Sequence, residues 1–138
     1  PVVPGSSTRV QDLSGEPLNN SPDWKVNFSA QYDQPLPSLP FDAFFQANYH
    51  WQDEVNFDLL GHPNAVQDSY GITNVNLGIF ERNNEKYRVT LFVNNLFDED
   101  YATSIGTLDG LYGDKDVRIH YLPRNAERYA GLRVRYSF

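Results

Sequence analysis

Strict two-residue alternation constrains this chain more than any other feature, and it is cleanest over residues 129–138 (YAGLRVRYSF). Ala130, Leu132, Val134, Tyr136 and Phe138 share one parity, while Gly131, Arg133, Arg135 and Ser137 share the other. Successive strand side chains point to opposite faces, so this segment reads as a strand with one apolar face and one polar, cationic face. In a soluble core the terminal carboxylate would lie beside a buried Phe138. At a membrane boundary the ring can sit among headgroups and the carboxylate in water. The segment is therefore expected to present its apolar face to lipid.

The same pattern recurs upstream. In residues 24–32, Trp24, Val26, Phe28, Ala30 and Tyr32 alternate with Lys25, Asn27, Ser29 and Gln31, with aromatics at both ends of the apolar face. A tilted strand of this length crosses about 20 Å, which suits the apolar band of an outer membrane. Residues 41–57 alternate again, and their length predicts a strand that projects beyond the bilayer. Residues 70–82 and 86–95 form a predicted hairpin around Asn83 and Asn84, with Thr73, Val75, Leu77, Ile79, Tyr87, Val89, Leu91 and Val93 outward. Asp33–Pro40 reads as a proline-rich connection that cannot continue a paired ladder.

The expected fold class is all-β, with five antiparallel up-and-down strands at 24–32, 41–57, 70–82, 86–95 and 129–138. Residues 1–22, 58–69 and 96–127 are expected as external loops, and 33–40 and 83–85 as short periplasmic turns. Alternation of long and short connections is the habit of outer-membrane barrels. Trp24 and Phe97 then fall near the outer interface, and Tyr32, Phe41, Tyr87, Tyr136 and Phe138 near the inner one. Five strands cannot close such a barrel, and open edges in lipid leave unpaired amides. Further strands must complete it.

Composition is compatible with this reading. The mean hydropathy is -0.56, and no apolar run approaches the roughly 20 residues of a membrane helix. Barrel strands need only alternate, so neither value opposes a membrane location. The formal net charge of -7 argues against a nucleic-acid partner. The lack of Cys removes disulfides, thiolate nucleophiles and Cys-based metal sites. A first residue of Pro1 and the absence of Met suggest a piece of a longer product.

Four motifs in order carry a family resemblance. They are GEPLNNSP (15–22), VNNLFDEDY (93–101), LPR (122–124) and the Phe-terminated final strand. Together they resemble the C-terminal part of the β-barrel of a TonB-dependent outer-membrane receptor. In that family an NLFD motif with a nearby Tyr closes the penultimate strand, and a Pro-Arg pair precedes the last. Here those positions are Asn95, Leu96, Phe97, Asp98, Tyr101, Pro123 and Arg124.

The resemblance implies the last five strands of a barrel of about 22 strands with a plugged lumen. The plug, the TonB-contacting segment and the other strands are expected to lie outside these 138 residues. It implies energised uptake of a scarce solute, of the siderophore, cobalamin or oligosaccharide class, across the outer membrane of a Gram-negative bacterium. Its implied partners are the remaining barrel strands and plug, the TonB complex, outer-membrane lipid and the barrel-assembly machinery. Leu132, Val134, Tyr136 and Phe138 resemble the signal that this machinery reads, and lipid packing makes the same demand of them.

His50, His62 and His120 lack neighbouring ligands at zinc spacing. Asp109, Asp114 and Asp116 depart from a calcium-loop pattern and read as a solvated loop. Asp98, Glu99 and Asp100 offer no desolvated member for acid catalysis, so no enzyme and no cofactor are expected. Arg133 and Arg135 point toward the lumen, where they could meet the plug or line a hydrated wall. Tyr112 and Tyr121 could stack on a ligand or pack their own loop. A soluble β-sandwich that binds carbohydrate is the alternative from a different class, with the apolar faces forming its dry core.

Overall fold

The structure is a computed structural model, and it describes residues 14–15, 18–59, 63–107 and 117–138. The strands in chain order are β1 (Lys25–Pro35), β2 (Phe41–Gln52), β3 (Val55–Asn56), β4 (Val66–Gln67), β5 (Tyr70–Glu81), β6 (Tyr87–Asn94), β7 (Ser104–Thr107), β8 (Arg118–Tyr121) and β9 (Tyr129–Tyr136). A single 3-10 turn, Pro63–Ala65, is the helical element among the described residues. Five strands form one sheet in the order β1-β2-β5-β6-β9, and each is antiparallel to its neighbour. The fold is all-β and up-and-down.

Cross-strand register converts the alternation of each strand into rows that run across the whole sheet. One apolar row is Tyr32, Phe45, Leu77, Leu91 and Leu132; its neighbour is Ala30, Ala47, Val75, Val93 and Ala130. The opposite face carries Gln31, Gln46, Asn76, Phe92 and Gly131, and beside them Ser29, Asn48 and Asn74. A slip of one residue in any strand would put polar groups into the apolar rows, so the register is strongly specified. Tyr87 packs on Tyr136 at 5.0 Å between ring centroids, and Tyr136 on Phe138 at 5.3 Å, gathering aromatics at the end of the sheet where the β5–β6 turn lies.

No second sheet covers the apolar face among the described residues. Phe28, Leu77, Leu91, Leu132 and Val134 all stand exposed on it, with Leu132 66% accessible. A contiguous apolar surface of this kind has to meet a non-aqueous partner. The sandwich alternative lacks its second layer here. Away from the five-stranded sheet, Ala65, Ala102 and Ile105 form a buried cluster with Phe57 against it.

Three glycines are covered by aromatic rings from the neighbouring strand: Gly71 by Tyr49, Gly78 by Phe44 and Gly131 by Phe92. A ring over a strand glycine restores the packing that the missing side chain forfeits. Gly78 is the tightest of them, because an added Cβ would also meet the Val89 carbonyl oxygen of β6. Gly78→Ala is therefore expected to destabilise the folded sheet by about 1 to 3 kcal/mol. Urea unfolding from lipid vesicles would measure it, and an unchanged midpoint would contradict the contact.

The structure revises several boundaries. β1 runs on through Asp33, Gln34 and Pro35, which pair with Phe44, Ala43 and Asp42, so the ladder continues where the prolines predicted a connection. Pro35 is tolerated because it ends an edge strand, where a missing N–H need not break a ladder. The turn that follows is closed by the Leu39 N–H on the Leu36 carbonyl at 3.0 Å. β2 stops at Gln52 rather than reaching residue 57, and Val55–Asn56 pairs instead with Val66–Gln67. In the hairpin between β5 and β6 the positive φ falls on Glu85 (48°) and not on either Asn. The segment 96–127, read as a loop, contains the β7–β8 ladder.

Candidate functional site

The polar face of the sheet is a hydrogen-bonded wall. Ser29 Oγ donates to Asn48 Oδ1 at 2.7 Å, Asn76 Nδ2 to Gln46 Oε1 at 3.1 Å, and His50 Nδ1 lies 2.7 Å from Asn27 Oδ1. Each pair joins side chains that register places opposite one another, which is the sheet's usual unit of stabilisation. His50 thus bonds within this wall. No group of metal-ligating side chains gathers among the described residues.

At the end of the wall away from the β5–β6 turn, the chain is clamped by Asn95. Its backbone adopts φ 47°, which turns the chain out of β6, and the residue is only 2% accessible. Asn tolerates this conformation better than most residues. Its side-chain Nδ2 donates to the Glu99 carbonyl at 2.9 Å and the Ala126 carbonyl at 2.6 Å, and its Oδ1 accepts the Glu99 N–H at 2.9 Å. The Asn95 N–H donates to Asn74 Oδ1 at 2.9 Å, and Leu96 N–H to the Thr73 carbonyl at 2.8 Å. The side-chain amide ties the start of the long loop to its return toward β9, and the backbone N–H groups of Asn95 and Leu96 tie both to β5.

The neighbouring motif residues complete the clamp. Asp98, at φ 58°, accepts the Arg128 N–H on Oδ1 at 2.8 Å, while its N–H donates to the Asn95 carbonyl at 3.0 Å. Pro123 accepts the Ala126 N–H at 3.1 Å and so shapes the turn that presents Ala126 to Asn95. Arg124 is exposed and lines a hollow of about 630 Å³ with Asn125, Glu127 and Arg128. Phe97 projects outward and exposed. The acidic run Asp98, Glu99 and Asp100 serves turn geometry through the first two.

Tyr101 stacks on Tyr70 with ring centroids 4.5 Å apart. Beside them lies a cavity of about 370 Å³, lined in part by His50, Asn74, Asn125 and Tyr129. Burial raises the Tyr101 phenol above its ordinary value. Because the folded-state value is raised, the packing is fully present below the unfolded phenol value of about 10 and is lost as pH rises through the folded one. A phenolate absorbance titration of the wild type against Tyr101→Phe should show one late-ionising group; an identical curve would contradict the stack.

Tyr121 holds the β7–β8 ladder through its carbonyl, which accepts the Thr103 N–H at 2.8 Å and the Thr103 hydroxyl at 2.9 Å. Its ring is exposed. Tyr112, His62, Asp109, Asp114 and Asp116 lie outside the described residues.

Arg133 and Arg135 fall on the polar face, and Arg88 joins them from β6 through the register Arg88–Arg135 and Thr90–Arg133. Arg88 lies over the Phe44 ring at 4.4 Å and the Phe80 ring at 5.3 Å, and Arg133 over Phe92 at 5.3 Å. Glu85 reaches Arg135 at 3.4 Å and Arg88 at 3.6 Å. The sequence reading turned Arg88 inward but did not group it with Arg133 and Arg135. Its parity within β6, matched to that of β9, was the available signal. Leu132, Val134 and Tyr136 occupy the apolar face, apart from this group.

Residues 5–96 match the family model described as TonB dependent receptor-like, beta-barrel. No curated protein and no solved structure gives a match.

Proposed function

From the premise that this chain belongs to the TonB-dependent receptor β-barrel family, we propose that it supplies five wall strands of a transporter that takes up a siderophore, cobalamin or oligosaccharide. The family supports TonB-dependent transport at the outer membrane, and its members are transporters rather than enzymes. The observation that carries the reading is the register itself: apolar rows cross the sheet on one face and amide-rich rows on the other. Lipid suits the first face and a wet lumen the second.

In this reading the open edges of β1 and β9 pair with the remaining barrel strands, and the plug fills the lumen. Leu132, Val134, Tyr136 and Phe138 serve lipid contact and recognition by the barrel-assembly machinery of a Gram-negative host. Tyr121 sits in an external loop where a ligand would first dock. The TonB complex acts through a part of the receptor outside these residues. Deleting the receptor in its source organism should abolish growth on one limiting solute from a panel of ferric siderophore, cobalamin and oligosaccharide. Loss of TonB should reproduce that defect, and growth independent of TonB would overturn the reading.

A further inference from the structure

We propose that Arg88, Arg133 and Arg135 form a docking site for an acidic polypeptide segment seated in the barrel lumen. The proposal rests on the reading of this chain as the wall of a plugged barrel. It adds the chemistry of the contact.

The three guanidinium groups project from adjacent strands on the lumen face, near the inner end of the sheet. Glu85 is the carboxylate that reaches them, and it is shared between Arg88 and Arg135. Among the described residues, three positive charges less one negative leave two uncompensated, in a chain whose formal net charge is -7. The other lumen-face acids nearby are committed or distant. Asp42 is held by Arg82 at 2.8 Å. Asp33 accepts from Gln31 at 2.9 Å and sits on β1, three neighbours from β6 in the sheet. At about 4.8 Å per strand that is about 14 Å, beyond the physiological screening length of about 8 Å.

The arginines are also pre-positioned. Phe44 and Phe80 hold the Arg88 plane and Phe92 that of Arg133, so less side-chain freedom is lost when a ligand binds. Arg133 makes no hydrogen bond or ion pair among the described residues and keeps its donors for an outside acceptor. Guanidinium groups arranged in this way match carboxylates, which they bind through paired N–H donors. Lipid phosphates are a poor fit, because the lipid-facing rows lie on the opposite side of the sheet.

A carbodiimide coupling experiment on the intact receptor tests this directly. The reagent joins an amine to a carboxylate in direct contact, so Arg133→Lys converts the free guanidinium into a reporter while keeping its charge. The expected result is an isopeptide between position 133 and an Asp or Glu of the plug, found by peptide mass spectrometry and absent from the wild type; coupling at 133 only to another barrel strand counts against the proposal. Arg135→Lys should couple to Glu85 in parallel. Coupling at 135 with none at 133, or coupling at 133 only within this chain, would overturn the proposal. A photoreactive benzophenone side chain at Asn76, on the middle of the same face, separates the two readings. If it labels a plug peptide while position 133 does not, the barrel is plugged but the acidic dock is wrong. If neither labels, the plugged-wall reading fails as well.

Discussion

Leu91→Arg is expected to destabilise the folded barrel by about 2 to 4 kcal/mol, the cost of an arginine on the lipid face near mid-bilayer. Leu91 lies in the row Tyr32, Phe45, Leu77, Leu91 and Leu132. That row stands two residues along β6 from Val89 and four from Tyr87, whose ring packs on Tyr136 at one end of the sheet. Gln31→Arg is the matched control, because Gln31 lies in the polar row with Gln46 and Asn76 on the opposite face. Its expected effect is within about 0.5 kcal/mol. Reversible urea unfolding in lipid vesicles would read both. Equal, small effects at the two positions would mean that the apolar rows do not meet lipid.

Asn95→Ala should be about as damaging, by another route. The substitution removes the amide that satisfies the Glu99 N–H and the Glu99 and Ala126 carbonyls, and it keeps an unfavourable positive φ. Buried polar groups left without partners cost about 1 to 3 kcal/mol each, and three lie around this one side chain. A loss of about 3 kcal/mol is expected, with limited proteolysis of residues 96–127 sharply accelerated. Asn95→Gly relieves the backbone but not the lost bonds, so it should recover only about 1 kcal/mol. Asn95→Asp should fail as well, since a carboxylate cannot donate to the two carbonyls. Full recovery by Gly would show that φ alone fixes the turn.

These two substitutions divide what was legible in the sequence from what was not. The lipid row was readable because parity is a property of each strand by itself. Once Val26, Phe45, Leu91 and Leu132 were each assigned a face, antiparallel pairing could only align them. Asn95 was visible as a motif residue, but its role depends on Ala126 and Glu99 arriving at one amide from separate turns. Periodicity carries no information on that meeting. The same limit explains β7 and β8, which are four residues each and joined through residues with no clear period. Proline rules misjudged β1, because they penalise Pro35 as if it stood in a central strand. At the β5–β6 turn, Asn83 and Asn84 were the natural candidates for positive φ, yet Glu85 adopts it, with its N–H 3.2 Å from the Glu81 carbonyl.

The clamp and the wall have separable consequences for transport. The clamp fixes where the long 96–127 segment leaves β6 and returns to β9, so, if that segment is external as proposed, its failure should change ligand capture before it changes insertion. The lipid rows decide insertion itself. A receptor carrying Asn95→Ala is therefore expected to reach the membrane and bind poorly, whereas one carrying Leu91→Arg should accumulate less in the membrane.

Nitroxide scanning along β6 tests the central claim most directly. The sequence contains no Cys, so single cysteines introduced at Val89, Thr90, Leu91, Phe92 and Val93 can each carry a label in the membrane-inserted receptor. If the apolar rows face lipid, collision with oxygen will be high at Val89, Leu91 and Val93 and low at Thr90 and Phe92. Collision with a water-soluble nickel chelate will stay low at the first three. A scan in which oxygen access is uniformly low, or in which the nickel chelate reaches Leu91, would contradict the account of this chain as a barrel wall.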